Sequence, residues 1–229
     1  MEKLTELYNK WHGSMPESAE RLAGAGSNRQ YYRFTAEDGT TVIGVVGTSR
    51  DENHAFVYLA QHFEQRQLPV PQVLAVSDDG LRYLQTDLGS VSLFDAVRGG
   101  REAGGRYNLE EQELLKRTIR QLPNIQIRGA RGLDWQNCYP QPEFDEDSVL
   151  FDLNYFKYCF LKPSGLDFHE LKLEANFRLM AKDLTSEQVD SFLYRDFQAR
   201  NVMLDAEGNP YFIDFQGGRK GPYFYDIAS

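Results

Sequence analysis

The chain has 229 residues, of which 41% are hydrophobic and 26% charged, the make-up of a folded globular protein with material for one large domain or two lobes. No apolar run approaches the ~20 residues that span a bilayer, and the acidic, amphipathic start Met1–Leu7 does not suit a secretory signal. A formal net charge of −9 argues against nucleic acid as the main partner, and Cys138 and Cys159, far apart, form neither a disulfide framework nor a metal motif. The expected setting is the cytoplasm, with no membrane and no nucleic acid among the partners.

Leu4, Leu7, Tyr8 and Trp11 recur at helical spacing and predict a short amphipathic helix over residues 3–11. A small-residue loop, Ala23 to Gln30, then leads into the β-prone run Tyr31–Phe34. Asp38-Gly39 turns the chain into a second strand, Thr41–Val46, so the pair reads as a hairpin. Residues 51–67 carry Phe56, Leu59, Ala60 and Phe63 on one face behind an acidic first turn, which predicts a helix. Strands over 72–77 and 81–86 flank the turn Asp78-Asp79-Gly80. Leu88-Gly89-Ser90 follows as the expected hinge, dividing residues 1–89 from residues 90–229.

Beyond the hinge the pattern turns helical. Stripes run through Leu114, Leu115, Thr118, Ile119 and Leu122, through residues 150–161, and through Phe168, Leu171, Ala175 and Leu179. The Pro-rich, acidic stretch 138–146 between the first two reads as a loop. His12, His54, His62 and His169 show no mutual ligand spacing and read as surface or capping residues. Short strands return at 192–194, 201–204 and 211–213.

The informative segment is Tyr194-Arg195-Asp196-Phe197-Gln198-Ala199-Arg200-Asn201-Val202-Met203-Leu204, followed by Tyr211-Phe212-Ile213-Asp214-Phe215-Gln216. An Asp, an Asn five residues on and a second Asp thirteen beyond that supply what phosphoryl transfer needs. One carboxylate orients a hydroxyl, and a hard oxygen pair suits Mg²⁺. Ile213-Asp214-Phe215 also places an acid inside an apolar run, where a carboxylate is costly without a partner or a metal.

These residues resemble the catalytic and metal-binding loops of the kinase-like fold. With Gly221 and the tail Asp226-Ile227-Ala228 they resemble the aminoglycoside phosphotransferase and choline-kinase superfamily. The R-D-F-Q-A-R-N and I-D-F-Q wording is similar to that of bacterial kinases acting on anomeric hydroxyls of amino sugars such as N-acetylmuramate. Only residues 192–229 match specifically.

The resemblance implies a two-lobed α+β fold, an antiparallel-sheet N-lobe with a mostly helical C-lobe, binding ATP and Mg²⁺ between them. It implies Asp196 as catalytic base and Asn201 and Asp214 as metal ligands. Ser27, Asn28 and Arg29 would occupy the phosphate-covering turn between the first two strands of that fold. Thr86, Asp87 and Leu88 would be the linker whose backbone reads adenine, and Glu52 would stand for the helical glutamate of kinases. Asp226 would hold the catalytic loop through backbone hydrogen bonds. Asp152, Asn154 and Arg200 are candidates for the acceptor, a small molecule such as a sugar, an amino sugar or an aminoglycoside-like compound.

Three departures stand out. The strand Thr41–Val46 lacks the nucleotide-binding lysine of kinases, so its charge comes from Arg33 or Arg29 or is absent; the absence also supports a rival reading, a pseudokinase-type module that binds nucleotide or sugar without turnover. Tyr194 replaces the histidine that precedes the catalytic Asp by two residues, a position that mainly packs and hydrogen-bonds. The tail stops at Ser229, where the superfamily opens a further helix, and this carries the expectation of an incomplete C-lobe.

Overall fold

The computed structural model describes residues 1–22, 28–186 and 190–228. Helix α1 (Glu2–His12) is followed by β1 (Ser18–Arg21), β2 (Gln30–Thr35), β3 (Thr41–Val46), helix α2 (Arg50–Glu64), β4 (Val73–Val76) and β5 (Arg82–Thr86). These strands form one antiparallel sheet in the order β1-β2-β3-β5-β4. The two hairpin turns read from Asp38-Gly39 and Asp78-Asp79-Gly80 connect β2 to β3 and β4 to β5. The edge strand β1 was not expected, and all four of its residues are exposed.

The two faces of the sheet are covered differently. Leu4, Leu7 and Tyr8 of α1 pack on Phe34, Val42 and Leu84, so α1 caps the outer face. They approach the sheet at Gly44, where an added Cβ would stand 2.6 Å from Phe34 Cε2 and 2.9 Å from Leu4 Cδ2. The inner face, with Ile43, Val45 and Tyr83, packs on α2 through Phe56, Leu59 and Phe63, and this core continues into Phe192, Tyr194, Phe212 and Phe215 far along the chain. Ser49 caps α2 by accepting the Glu52 amide at 3.3 Å, which fixes where that first turn begins.

The remainder is mostly helical: α3 (Leu93–Ala96), α4 (Arg98–Glu102), α5 (Leu109–Pro123), α6 (Glu146–Phe156) and α7 (Glu170–Leu184). An Asn108–Glu111 capping box starts α5, and Pro123 ends it in a wider turn over Asn124–Arg128. Helix α6 likewise runs into a wider turn over Lys157–Leu161. Two short hairpins, β7 (Val202–Leu204) with β8 (Pro210–Phe212) and β6 (Phe192–Leu193) with β9 (Arg219–Lys220), carry the motif-rich segment, and α8 (Tyr225–Ala228) follows.

Helical spacing overstated burial in the three stripes. Thr118 and Leu122 are buried, but Ile119, Phe160, Leu171 and Leu179 are all exposed. His169 caps α7 through Nδ1, as expected, whereas His62 is buried with Nε2 against the Gly129 carbonyl at 2.8 Å. No helix among the described residues is long and apolar enough to cross a membrane.

Gly44→Ala should destabilise the fold by about 1–3 kcal/mol, the usual cost of overpacking a close contact. Urea unfolding of the variant against the parent measures it, as a lower midpoint with an unchanged slope.

Candidate active site

The site is built from the loop between β6 and β7. Asp226, 1% exposed, accepts the amide of Tyr194 at 2.9 Å and of Arg195 at 2.8 Å, and Gln126 Nε2 at 2.7 Å. Burial pushes the Asp226 carboxyl up, and those donors pull against the shift. The backbone of the loop is thus held in place from α8, as the tail motif implied. Tyr194 is buried, and its hydroxyl donates to the Ile213 carbonyl, so it packs and bonds as the histidine-replacing position should.

Asn201 ends a short 3₁₀ turn and donates Nδ2 to the Asp196 carbonyl at 2.9 Å, leaving its oxygen as the free end of the amide. Its own carbonyl accepts the Ile213 amide at 3.0 Å, which brings the strand end carrying Asp214 alongside. Asp214 has φ 64° and Arg195 φ 76°, a conformation that is strained for residues other than glycine and concentrates at functional sites. Asp196 is open to solvent, yet the protein around it and the charge of Asp214 raise its pKa above the ordinary aspartate value.

A cavity of about 320 Å³ lies between the inner face of the sheet and this loop. Arg29, Thr86, Asp87, Leu88, Arg200, Asn201 and Asp214 all line it. Arg29 is buried and pairs with Glu52 at 3.2 Å from the sheet side, its guanidinium 5.8 Å from the centre of the Phe56 ring. Arg33 goes elsewhere: it grips Asp87 with Nε at 2.5 Å and Nη2 at 3.0 Å, and also donates to the Gly89 carbonyl at 3.0 Å. Of the two arginines left open by the sequence, Arg29 faces the cavity and Arg33 braces Asp87 and Gly89 after β5. Asn28 is exposed at the entrance to β2, and Ser27 lies outside the described residues.

The acceptor candidates separate as well. Asp152 on α6 pairs with Arg195 at 2.8 Å, directly beside Asp196. Arg200 stacks over the Phe94 ring at 4.7 Å, and Asn154 donates to the Leu150 carbonyl of its own helix. Sequence reasoning missed Arg219, buried near Arg195 and Asp152, because a lone Arg after Gly217-Gly218 carries no pattern. It also left Gln216 without a role.

A sequence model described as the phosphotransferase enzyme family matches residues 18–229. The chain belongs to the phosphotransferase enzyme family. It is therefore a small-molecule kinase by family. Among solved structures, a streptomycin–ATP ternary complex of APH(2")-IIa superposes on this phosphotransferase with a TM-score of 0.67 at 14% identity, over 98% of this chain and 75% of that one. The choline kinase LicA from Streptococcus pneumoniae gives 0.65 at 15% identity, over 100% of this chain and 73% of that one. A GDP and kanamycin complex of APH(2")-IIia gives 0.64 at 13% identity, over 99% and 76%. At these identities the likeness is one of fold, and it establishes the two-lobed kinase-like architecture. No curated protein matches the sequence.

Asp226→Ala leaves three donors without their acceptor, two of them backbone amides in the loop, so it should cost about 3 kcal/mol or more. Hydrogen exchange should locate the loss at Tyr194 and Arg195 before the sheet opens.

Proposed function

We propose that this phosphotransferase moves the γ-phosphoryl group of ATP to a hydroxyl of a small sugar or amino sugar, with its two lobes, residues 1–89 and 90–229, parting at Gly89–Ser90. The observation that carries the reading is one cavity that joins Arg29 on the sheet side to Asn201 and Asp214 on the loop side, with Asp196 bonded to Asn201 just beyond it. In this reading the backbone of Thr86, Asp87 and Leu88 meets the base. Arg29, buried and aligned by Glu52, gives the α- and β-phosphates the charge that β3 does not provide. Asn28, exposed at the entrance to β2, meets the phosphates from that side, the role the resemblance also gave to Ser27, which lies outside the described residues.

Asn201 and Asp214 fit a magnesium ion by the chemistry of their donors: a carboxylate and an amide oxygen whose nitrogen is already committed to Asp196. Among the described residues no group of three or more His, Cys, Asp or Glu side chains could hold a metal, so a two-donor site suits a cation that arrives with the phosphates. When bound, the ion supplies neutralisation of the charge on the transferring group. Asp196 holds the acceptor hydroxyl and takes its proton, a task helped by its raised pKa. Asp152 and Arg195 offer the acceptor polar contacts beside Asp196, Arg200 reaches the cavity from its place over Phe94, and the Asn154 amide is already bonded within α6.

The sugar class rests on the R-D-F-Q-A-R-N and I-D-F-Q resemblance, supported by neighbours solved with streptomycin and kanamycin. A turnover screen with ATP and Mg²⁺ against sugars, amino sugars and aminoglycosides tests it. Phosphoryl transfer to one of these is the expected result; ATP binding with no transfer to any of them selects the non-catalytic, sensing module instead.

Asp196→Asn keeps the shape and removes the base, so kcat should fall ~10²–10⁴-fold with nucleotide affinity little changed. Arg29→Met should weaken ATP binding roughly 10–100-fold, the loss of charge-assisted bonds worth about 1.5–3 kcal/mol. Arg33→Met should change it far less, and calorimetric titration of both variants separates the two arginines.

A further inference from the structure

Gln216 takes no part in the chemistry above, yet it stands two residues beyond Asp214 and lines the same cavity with about nine-tenths of its surface buried. Its Nε2 donates to Asp214 Oδ1 at 2.8 Å and lies 3.5 Å from Glu52 Oε1. Both partners are carboxylates and can only accept, so the NH₂ end of the amide must face them. That orientation turns Oε1 the other way, where it is buried with no hydrogen-bond partner among the described residues. An orphaned buried acceptor calls for a donor that arrives with a ligand. Phosphate oxygens are acceptors and cannot fill that role, but a Mg²⁺ ion keeps several waters, each of which donates.

We propose that Gln216 is a positioning residue for the metal: Nε2 orients the Asp214 carboxylate, while Oε1 receives a water of the hydrated cation. The same amide touches Glu52, so the helix that aligns Arg29 and the strand end that carries Asp214 are set against each other by one side chain. The inference rests on Asp214 being a metal ligand. Outer-shell partners of this kind change metal affinity by about 10–100-fold.

The test uses Mn²⁺ as a probe, titrated into the full chain with ADP and followed by electron paramagnetic resonance, so no turnover is needed. Gln216→Leu should raise the Mn²⁺ dissociation constant by about 10–100-fold. ADP binding in chelator and the metal-free melting temperature should stay near the parent values. Gln216→Asn, one carbon too short to reach both carboxylates, should weaken Mn²⁺ as well, and it decides the matter if the Leu variant does not fold. Mn²⁺ binding within twofold of the parent in these variants overturns the proposal. So does an equal loss of metal-free ADP binding, which marks a role in packing alone. Asp214→Ala separates the two levels: if it alone loses Mn²⁺, only the Gln216 assignment falls. If it binds Mn²⁺ as the parent does, the placement of the metal falls, and the Gln216 assignment with it.

Discussion

The arrangement of the cleft depends on one ring. Phe215 is fully buried, stacked on Phe56 at 5.0 Å and 10° and edge-on to Phe63 at 5.4 Å. Phe56 and Phe63 lie two turns apart on one face of α2, so the helix grips the ring along its length. Asp214, immediately before it, is held at positive φ between this clamp and the Ile213–Asn201 backbone bond. Glu52 lies one turn before Phe56 on the same helix. The apolar contact therefore sets the distance between Glu52 on the helix and Asp214 on the loop, the span that Gln216 bridges.

Charge within this region is arranged by burial. Arg29 and Arg219 are buried while the chain as a whole is strongly acidic, and Asp226 is buried with three donors aimed at it. Asp196, by contrast, is left open to solvent, with its pKa raised by its surroundings and by Asp214 against the pull of Arg195 and Arg219. A carboxylate kept in that state is suited to taking a proton, and one held by three donors is suited to holding a loop. The same residue type thus sits in two electrostatic settings thirty residues apart in sequence, distinguished only by what surrounds it.

Much of this was legible in the sequence. The Asp-Gly turns fixed both hairpins of the sheet, since few other dipeptides reverse a chain so tightly, and the Asp196, Asn201, Asp214 and Asp226 spacing identified the loop system. The edge strand was not legible, because Ser18–Arg21 is exposed throughout and shows no alternation. Nor could the sequence decide between Arg29 and Arg33: the partners that separate them, Glu52 and Asp87, lie 23 and 54 residues away, and it takes the packing of α2 on the sheet and the pairing of the strands to bring them near. Ile119, Leu171 and Leu179 show the converse failure, since periodicity marks a helix face but does not say what covers it.

The bonds of Arg33 bear on the stretch that follows β5. Thr86 through Gly89 is fastened to the sheet by the Arg33–Asp87 fork and by the bond to the Gly89 carbonyl. On the other side Val91 accepts the Leu204 amide, and Ser92 bridges to Met203. Ser90 lies between these two fastenings. That stretch is one tie among several between the sheet side and the loop side, since the Phe212 amide donates to the Pro69 carbonyl at 2.8 Å and Phe215 stacks on Phe56; what Arg33 adds is registration, like a pin that keeps Thr86 through Gly89 aligned with the sheet.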